Sequence, residues 1–527
     1  MQQLTPMDAA FLYLENESTH AHGTLVWLYD ASQCDPSTIN RRALLEHMRP
    51  RLDVSPIFTR KIHRLPLDFD YPYWVDDPGF ELLYHVRELS LSESGSDEGK
   101  WSDFCQLVSD VHSRPLDHNH PLWELTLVPD LNGIDGLPAQ CFAILGKFHH
   151  VAIDGATGMQ IIEAIHDTPG QNRTDAPLNA RPARLPGLGE SLYRAAIRNV
   201  GALDKGMNLL GIGSGVKTDD GAAARAPVEE TIVEAPDEPD GIPQTLFNKA
   251  ITPEATWESR SFDLAQIKSM RQAVKGATVN DVLLTIVAGG LRHYLQYREA
   301  LPDTPMKAGC PVNIRTEAEA AAGGNMISAI IVNMHTDIAD PLRRLRAINR
   351  SSNAAKQRAS ARGSRKILDV VDVVPAQAQA LLGNLVGKVS GKMNRAIQFN
   401  GSVSNLPGPQ QELHMLGGRL QSIGAAMPIM NGFGLFVGLT TCAGSLRISM
   451  SSCESILPDP GKLGDCMELS YQELAKATLQ RTGLQKAGPR KAGARKAASK
   501  KSTPRKAASK KAAPRKAARA KQTRKTH

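Results

Sequence analysis

Cysteine is scarce in this 527-residue sequence. Cys34, Cys105, Cys141, Cys310, Cys442, Cys453 and Cys466 are scattered, odd in number and never in C-x-x-C spacing. That excludes a small disulfide scaffold and a zinc knuckle, and it fits a reducing compartment. The start, MQQLTPMDAAFLYLE, lacks a basic region followed by an apolar run, so no signal peptide is visible. Long apolar runs are missing too. The longest uncharged stretch, Leu420–Leu446, could span a bilayer by length, but it holds five glycines, Pro428 and Asn431. Buried strands joined by glycine turns account for it better than a membrane helix.

What remains is ordinary for a soluble globular protein: 41% apolar and 22% charged residues, and a length suited to about three folding units. The net charge of +8 is unevenly placed. Of the 62 Lys and Arg residues, 17 lie between Lys486 and His527, where there is no Asp or Glu. The preceding residues carry 45 bases against 54 acids, a net charge of −9. A nucleic-acid-binding fold does not follow from the total charge.

Four regions follow from pattern. Residues 1–167 alternate strand-like and helix-like pieces, with strands expected at Thr24–Tyr29, Leu122–Val128 and Cys141–Phe148. Residues 168–243 are rich in Pro, Gly, Asn, Asp and Ala, and read as a partly disordered linker. One helical piece, Ser191–Leu210, interrupts it. Residues 244–483 resume order, with a helix at Val279–Tyr294 capped by Thr278 and strands at Ala329–Met334, Leu435–Thr440 and Leu446–Met450. Residues 484–527 form a basic tail. Its basic pairs recur every five residues from Arg490 to Arg515, so on a helix they would spiral rather than line one face. From Lys486 on the tail has no Leu, Ile, Val, Met or aromatic residue with which to build a core, and it reads as disordered. It resembles the Lys/Ala/Pro tails of linker histones. The whole reads as α/β or α+β in two halves with a disordered tail.

The strongest chemical signal is His149-His150-Val-Ala-Ile-Asp154-Gly155, directly after the Cys141–Phe148 strand. If the strand continues, period two puts His150 on the Phe142, Ile144 and Phe148 face and His149 on the other. Asp154 and Gly155 then turn the chain into a helix through Met159, Ile162 and Ile165. A histidine ending an apolar strand suits a general base, because an apolar wall disfavours the charged imidazolium.

HHxxxDG resembles the active-site motif of CoA-dependent acyltransferases of the chloramphenicol-acetyltransferase type. Further motifs resemble, in order and spacing, the bacterial wax ester synthase/acyl-CoA:diacylglycerol acyltransferases. They are Thr5-Pro6-Met7-Asp8 through Glu15, Pro121-Leu122-Trp123-Glu124, Gly276-Ala-Thr278-Val279-Asn280-Asp281-Val282, Pro311 to Arg315, Gly324-Asn325 and Ser404-Asn405-Leu406-Pro407-Gly408-Pro409. The likeness covers nearly all of residues 1–480 and leaves out the tail and much of the linker.

This resemblance implies two similar subdomains around a central tunnel, with the catalytic histidine midway along it. It implies His150 as general base, with no covalent acyl-enzyme, no metal and no cofactor, acyl-CoA being a substrate. His149, Asp154 and Asn280 join His150 in the candidate catalytic set, Asn280 through an amide that helps hold the reacting oxygen. Gly155, Asp281, Arg315 and Glu15 are expected to support the site, Arg315 as the partner of Asp154. Trp123 reads as core, and Ser404–Pro409 as a turn.

Expected partners are acyl-CoA and either diacylglycerol or a long-chain alcohol. Peripheral contact with an anionic membrane or lipid droplet on the cytoplasmic side is also expected. Three rivals stand beside this reading: the same chemistry on another acceptor, nucleic-acid contact through residues 486–527, and a non-catalytic lipid-droplet coat.

Overall fold

The computed structural model describes residues 2–91, 97–153, 155–169, 187, 189–190, 193–198, 241–313, 327–362, 374–381 and 398–486. Asp154, Arg315, most of the expected linker and the tail beyond Lys486 lie outside the described residues. Residues 1–483 form one compact unit.

In chain order its first part supplies β1 (Gln2–Gln3), α1 (Pro6–Leu14), β2 (His22–Asp30), α2 (Arg41–Met48), β3 (Arg60–His63) and β4 (Tyr73–Asp76). There follow α3 (Leu82–His85), β5 (Val86–Glu88), α4 (Asp97–Ser113), β6 (Trp123–Val128), β7 (Cys141–His149) and α5 (Gly155–Ile165). After residue 241 come β8 (Ala255–Asp263), α6 (Leu264–Met270), α7 (Val279–Tyr297), β9 (Lys307–Asn313), β10 (Ile327–Asn333) and α8 (Pro341–Arg362). The last elements are β11 (Gly401–Leu406), β12 (His414–Met415), β13 (Gly418–Ala426), β14 (Phe436–Cys442), β15 (Ser445–Cys453) and α9 (Pro460–Lys486).

Two six-stranded mixed sheets dominate, ordered β12-β13-β2-β7-β6-β5 and β10-β9-β11-β14-β15-β8; β1, β4 and β3 form a small third sheet. β7 is buried along its whole length, as an inner strand covered on both faces must be. Phe142, Ile144 and Phe148 on its even face pack with Trp27 and Trp123. Cys141, Ala143 and Leu145 on the odd face pack with Phe104, Val108 and Val111 of α4. The alternation read from the sequence thus sorts two separate cores.

The uncharged stretch from Leu420 is β strand, as expected: β13 and β14, followed by a tight hairpin into β15. Cys442 pairs with Ser445 across that hairpin, and its two central residues, Ala443 and Gly444, have φ of 46° and 82°. A type I′ two-residue turn needs this left-handed backbone at both positions. Among the described residues no helix is long and apolar enough to cross a membrane. All seven cysteines are free.

β13 joins the halves. Although it comes late in the chain, it pairs antiparallel with β2 in the first sheet. Side chains of the second sheet bond to its backbone: Ser449 Oγ accepts from Ala425 N–H at 3.1 Å, and Trp257 Nε1–H donates to Ala425 O at 3.1 Å. The first sheet therefore takes its strands from residues 22–149 and from residues 414–426, on both sides of the expected linker. On the other side of the seam, the Ser109 and Ser113 hydroxyls of α4 accept the Trp257 and Ala255 N–H groups, each at 2.9 Å. They cover the open edge of β8, which would otherwise present unpaired donors.

Candidate active site

The site begins with α1. Thr5 caps it: its Oγ1 accepts the Asp8 N–H at 3.1 Å and donates to Asp8 Oδ2 at 2.7 Å, with Pro6 at the first helical position. The helix ends at Leu14, and Glu15 is its C-cap. The half-buried Glu15 carboxylate has three donors around it. Oε1 accepts the Ala21 N–H at 2.8 Å and faces His149 Nε2 at 3.2 Å; Oε2 is 2.9 Å from His118 Nε2. Burial alone would raise this carboxyl, but the contacts from His118 and His149 outweigh it and hold the group well below the usual carboxylate range.

His149 and His150 diverge. His149, the last residue of β7, is fully buried, and burial pushes its imidazole below the usual histidine value although Glu15 pulls the other way. Its Nδ1 accepts the Val151 N–H at 3.0 Å, so the proton of the neutral ring sits on Nε2 and faces Glu15. The approach is short but off-line, an electrostatic contact rather than an aligned hydrogen bond. His150 lies just past the strand and is half-buried. Its ring stacks on Phe11 of α1, with centroids 5.3 Å apart and planes at 21°. Its N–H donates to Ala21 O at 2.8 Å.

Glu15, His118 and His149 present three donor atoms within 4.8 Å of one another, a set that could suit a divalent cation. The tautomer argues against this. A histidine that binds a metal through one nitrogen normally donates a proton from the other. Here Nδ1 of His149 is an acceptor, so Nε2 has no lone pair to offer.

The second motif cluster lies at the N-terminus of α7. Thr278 and Asp281 form a reciprocal cap: Thr278 Oγ1 accepts the Asp281 N–H at 3.2 Å, and Asp281 Oδ2 accepts the Thr278 N–H at 2.8 Å. Asn349 Nδ2 donates to the same carboxylate oxygen at 2.9 Å. Asp281 is thus buried and occupied with holding its helix. Asn280 is half-buried, and its Oδ1 accepts from Asn405 Nδ2 at 3.4 Å, which leaves the Asn280 amide N–H groups as donors. Ser404–Leu406 are the end of strand β11 rather than part of the expected turn, and from there Asn405 meets the motif at residues 276–282. Gly155 is the first residue of α5.

Residues 4–283 match the wax ester synthase/diacylglycerol acyltransferase catalytic domain, and residues 323–475 match the C-terminal domain of the same family. The chain belongs to the wax ester synthase/diacylglycerol acyltransferase family. It is an acyltransferase of mixed α/β fold. A Mycobacterium tuberculosis relative named "Probable diacyglycerol O-acyltransferase tgs2" is 29% identical over 487 residues, covering 90% of this chain and 99% of the relative. The wax ester synthase/diacylglycerol acyltransferase from Marinobacter aquaeolei VT8 superposes with a TM-score of 0.62 at 23% identity, covering 90% of this chain and all of that one. That likeness speaks to the fold.

Within this family frame, the Pro121–Glu124 motif is structural. Trp123 is buried, as expected, and its Nε1–H donates to Phe58 O at 3.0 Å. Glu124 sits directly across from Lys147 of β7, with its Oε2 3.1 Å from Nζ; Lys147 is 1% exposed and also donates to the Val111 and Arg114 carbonyls. Two residues at the site escaped sequence reasoning. His118 sits in a loop with no periodicity to flag it. Phe11 lies inside a motif whose spacing gives it no separate role.

A cavity of about 1160 Å³ opens between α4 and β8, lined among others by Trp101, Cys105, Trp257, Glu258, Arg260 and Arg447. It lies on the odd face of β7, where α4 packs, and neither His149 nor His150 lines it. It is therefore not the passage expected at His150.

Proposed function

We propose that this acyltransferase moves a long-chain acyl group from acyl-CoA to the hydroxyl of diacylglycerol, of a long-chain alcohol, or of both, with His150 as general base. The imidazole takes the hydroxyl proton as the oxygen attacks the thioester carbonyl. The tetrahedral oxyanion, held in part by the Asn280 amide, collapses and expels the CoA thiolate. The imidazolium returns its proton to that thiolate, leaving an ester and free CoA. A positioned base contributes roughly 10²–10⁴-fold, and no acyl-enzyme is needed.

The observation that carries this reading is the contrast within the dipeptide: His149 is sealed against Glu15, while His150 stays half-buried against Phe11. His150→Ala is expected to abolish turnover of acyl-CoA in the presence of diacylglycerol or hexadecanol while the circular dichroism spectrum is retained. Near-normal turnover would remove His150 from the mechanism. Asp154 and Arg315 keep their proposed role as a pair that fixes the loop after His150.

We also propose peripheral contact with an anionic lipid surface on the cytoplasmic side. Each Lys or Arg close to such a surface is worth about 1 kcal/mol at low salt, and the tail supplies 17. Exposed apolar side chains support it. Leu67 is 81% exposed on a loop where its φ is 55°, and Tyr193, Ile197 and Leu381 are 57–68% exposed. The segments that carry the last three both meet Tyr71: Arg198 lies over its ring at 5.2 Å, and Gln379 Nε2 donates to its hydroxyl at 3.0 Å. Deleting residues 486–527 should reduce sedimentation with vesicles rich in anionic lipid and leave specific activity intact. Unchanged sedimentation would defeat the tether, and loss of DNA retention alone would favour the nucleic-acid reading.

A further inference from the structure

Phe11 and Glu15 stand four residues apart at the end of α1, so they project from one side of that helix. Each holds one member of the histidine pair: Phe11 stacks on the His150 ring, and Glu15 faces the His149 Nε2–H. Successive residues at a strand end point to opposite faces. A single element nevertheless reaches both, because Glu15 is also tied to the His150 backbone through Ala21. Glu15 Oε1 accepts the Ala21 N–H, and the Ala21 carbonyl accepts the His150 N–H, each at 2.8 Å. The contacts close a ring through Glu15, Ala21, His150 and His149. His118, 2.9 Å from the second carboxylate oxygen, fixes the Glu15 rotamer from outside.

We propose that Phe11 and Glu15 are positioning residues that set the orientation of the His150 imidazole, and that His149 and His118 serve this clamp rather than the chemistry. The proposal rests on His150 as the base. It gives the Thr5–Glu15 motif a physical purpose: the Thr5 cap and Pro6 start the helix where its last turn can hold the dipeptide. A general base misplaced by about 1 Å can lose on the order of 100-fold in rate. The effect should therefore fall on kcat, since neither Phe11 nor Glu15 needs to touch acyl-CoA.

The test uses the full-length enzyme with Glu15→Gln, Phe11→Ala and Phe11→Tyr. Glu15→Gln keeps the side-chain length but loses the charge that His118 and His149 face. It and Phe11→Ala should each lower kcat roughly 10- to 100-fold, with KM for acyl-CoA within about twofold and the circular dichroism spectrum retained. Phe11→Tyr, which keeps an aromatic face for stacking, should recover most of the parent kcat. Should Glu15→Gln fail to fold, the two Phe11 variants decide alone. Parent-like kcat in Phe11→Ala, or losses that appear in KM with kcat unchanged, overturn the clamp. If His150→Ala is inactive while these variants turn over normally, only the clamp falls. If His150→Ala is itself active, the base assignment falls and takes the clamp with it.

Discussion

At the scale of single residues, the protein keeps a set of neutral histidines in its interior. His85, His112 and His166 are buried, and burial pushes their imidazoles down to about 4, 3 and 3. Each has work that suits a neutral ring: His85 Nδ1 is 2.8 Å from the Trp123 carbonyl, His112 Nδ1 is 3.0 Å from Thr24 Oγ1, and His166 Nε2 is 2.7 Å from the Tyr29 hydroxyl. The sign of the consequence follows from linkage. Near pH 7 these rings are neutral in both states. Below about 6.5 the unfolded chain takes up protons that the folded one refuses. Stability is therefore full above that pH and falls by about 1.4 kcal/mol per pH unit for each such histidine, until the folded values near 3 to 4 are reached. Urea midpoints measured at pH 7.5, 6 and 5 should drop steeply over the last interval. A flat profile between 6.5 and 5 would mean that these rings are open to solvent.

At the scale of elements, alternation along the chain reveals β2, β6 and β7, and the Thr278 cap reveals the start of α7, because both signals are local. Pairing partners are not local. Nothing near Pro121 indicates that Glu124 meets Lys147 across the β6–β7 ladder, or that Asn405 reaches Asn280. His118 joins Glu15 for the same reason: only the fold brings its loop to the end of α1. The Glu124–Lys147 pair carries the element-scale prediction. Removing one partner of a buried ion pair strands the other charge and typically costs about 3–5 kcal/mol. Glu124→Ala should lose about that much in a denaturant titration. Changing both residues together, to Glu124→Leu with Lys147→Met, should recover most of it. A single variant as stable as the parent would show that water reaches the Lys147 ammonium.

At the scale of the molecule, two sheets are tied together by a strand that belongs to one half in sequence and to the other in hydrogen bonding. That the chain is α/β in two halves is legible from the strand and helix signals on either side of a Pro- and Gly-rich stretch. The exchange is not, because β13 looks like any other apolar strand and its glycines suggest only turns. The basic tail is equally plain in composition, and that composition alone does not separate an anionic lipid surface from a nucleic acid. As the polypeptide leaves the ribosome, the first lobe is without the strand that covers the edge of β2 until Ala426 has emerged, hundreds of residues after His22. For most of its translation the nascent protein carries an open sheet edge, so neither lobe should mature as an independent unit, and a product cut short before Gly418 should be prey for chaperones and proteases.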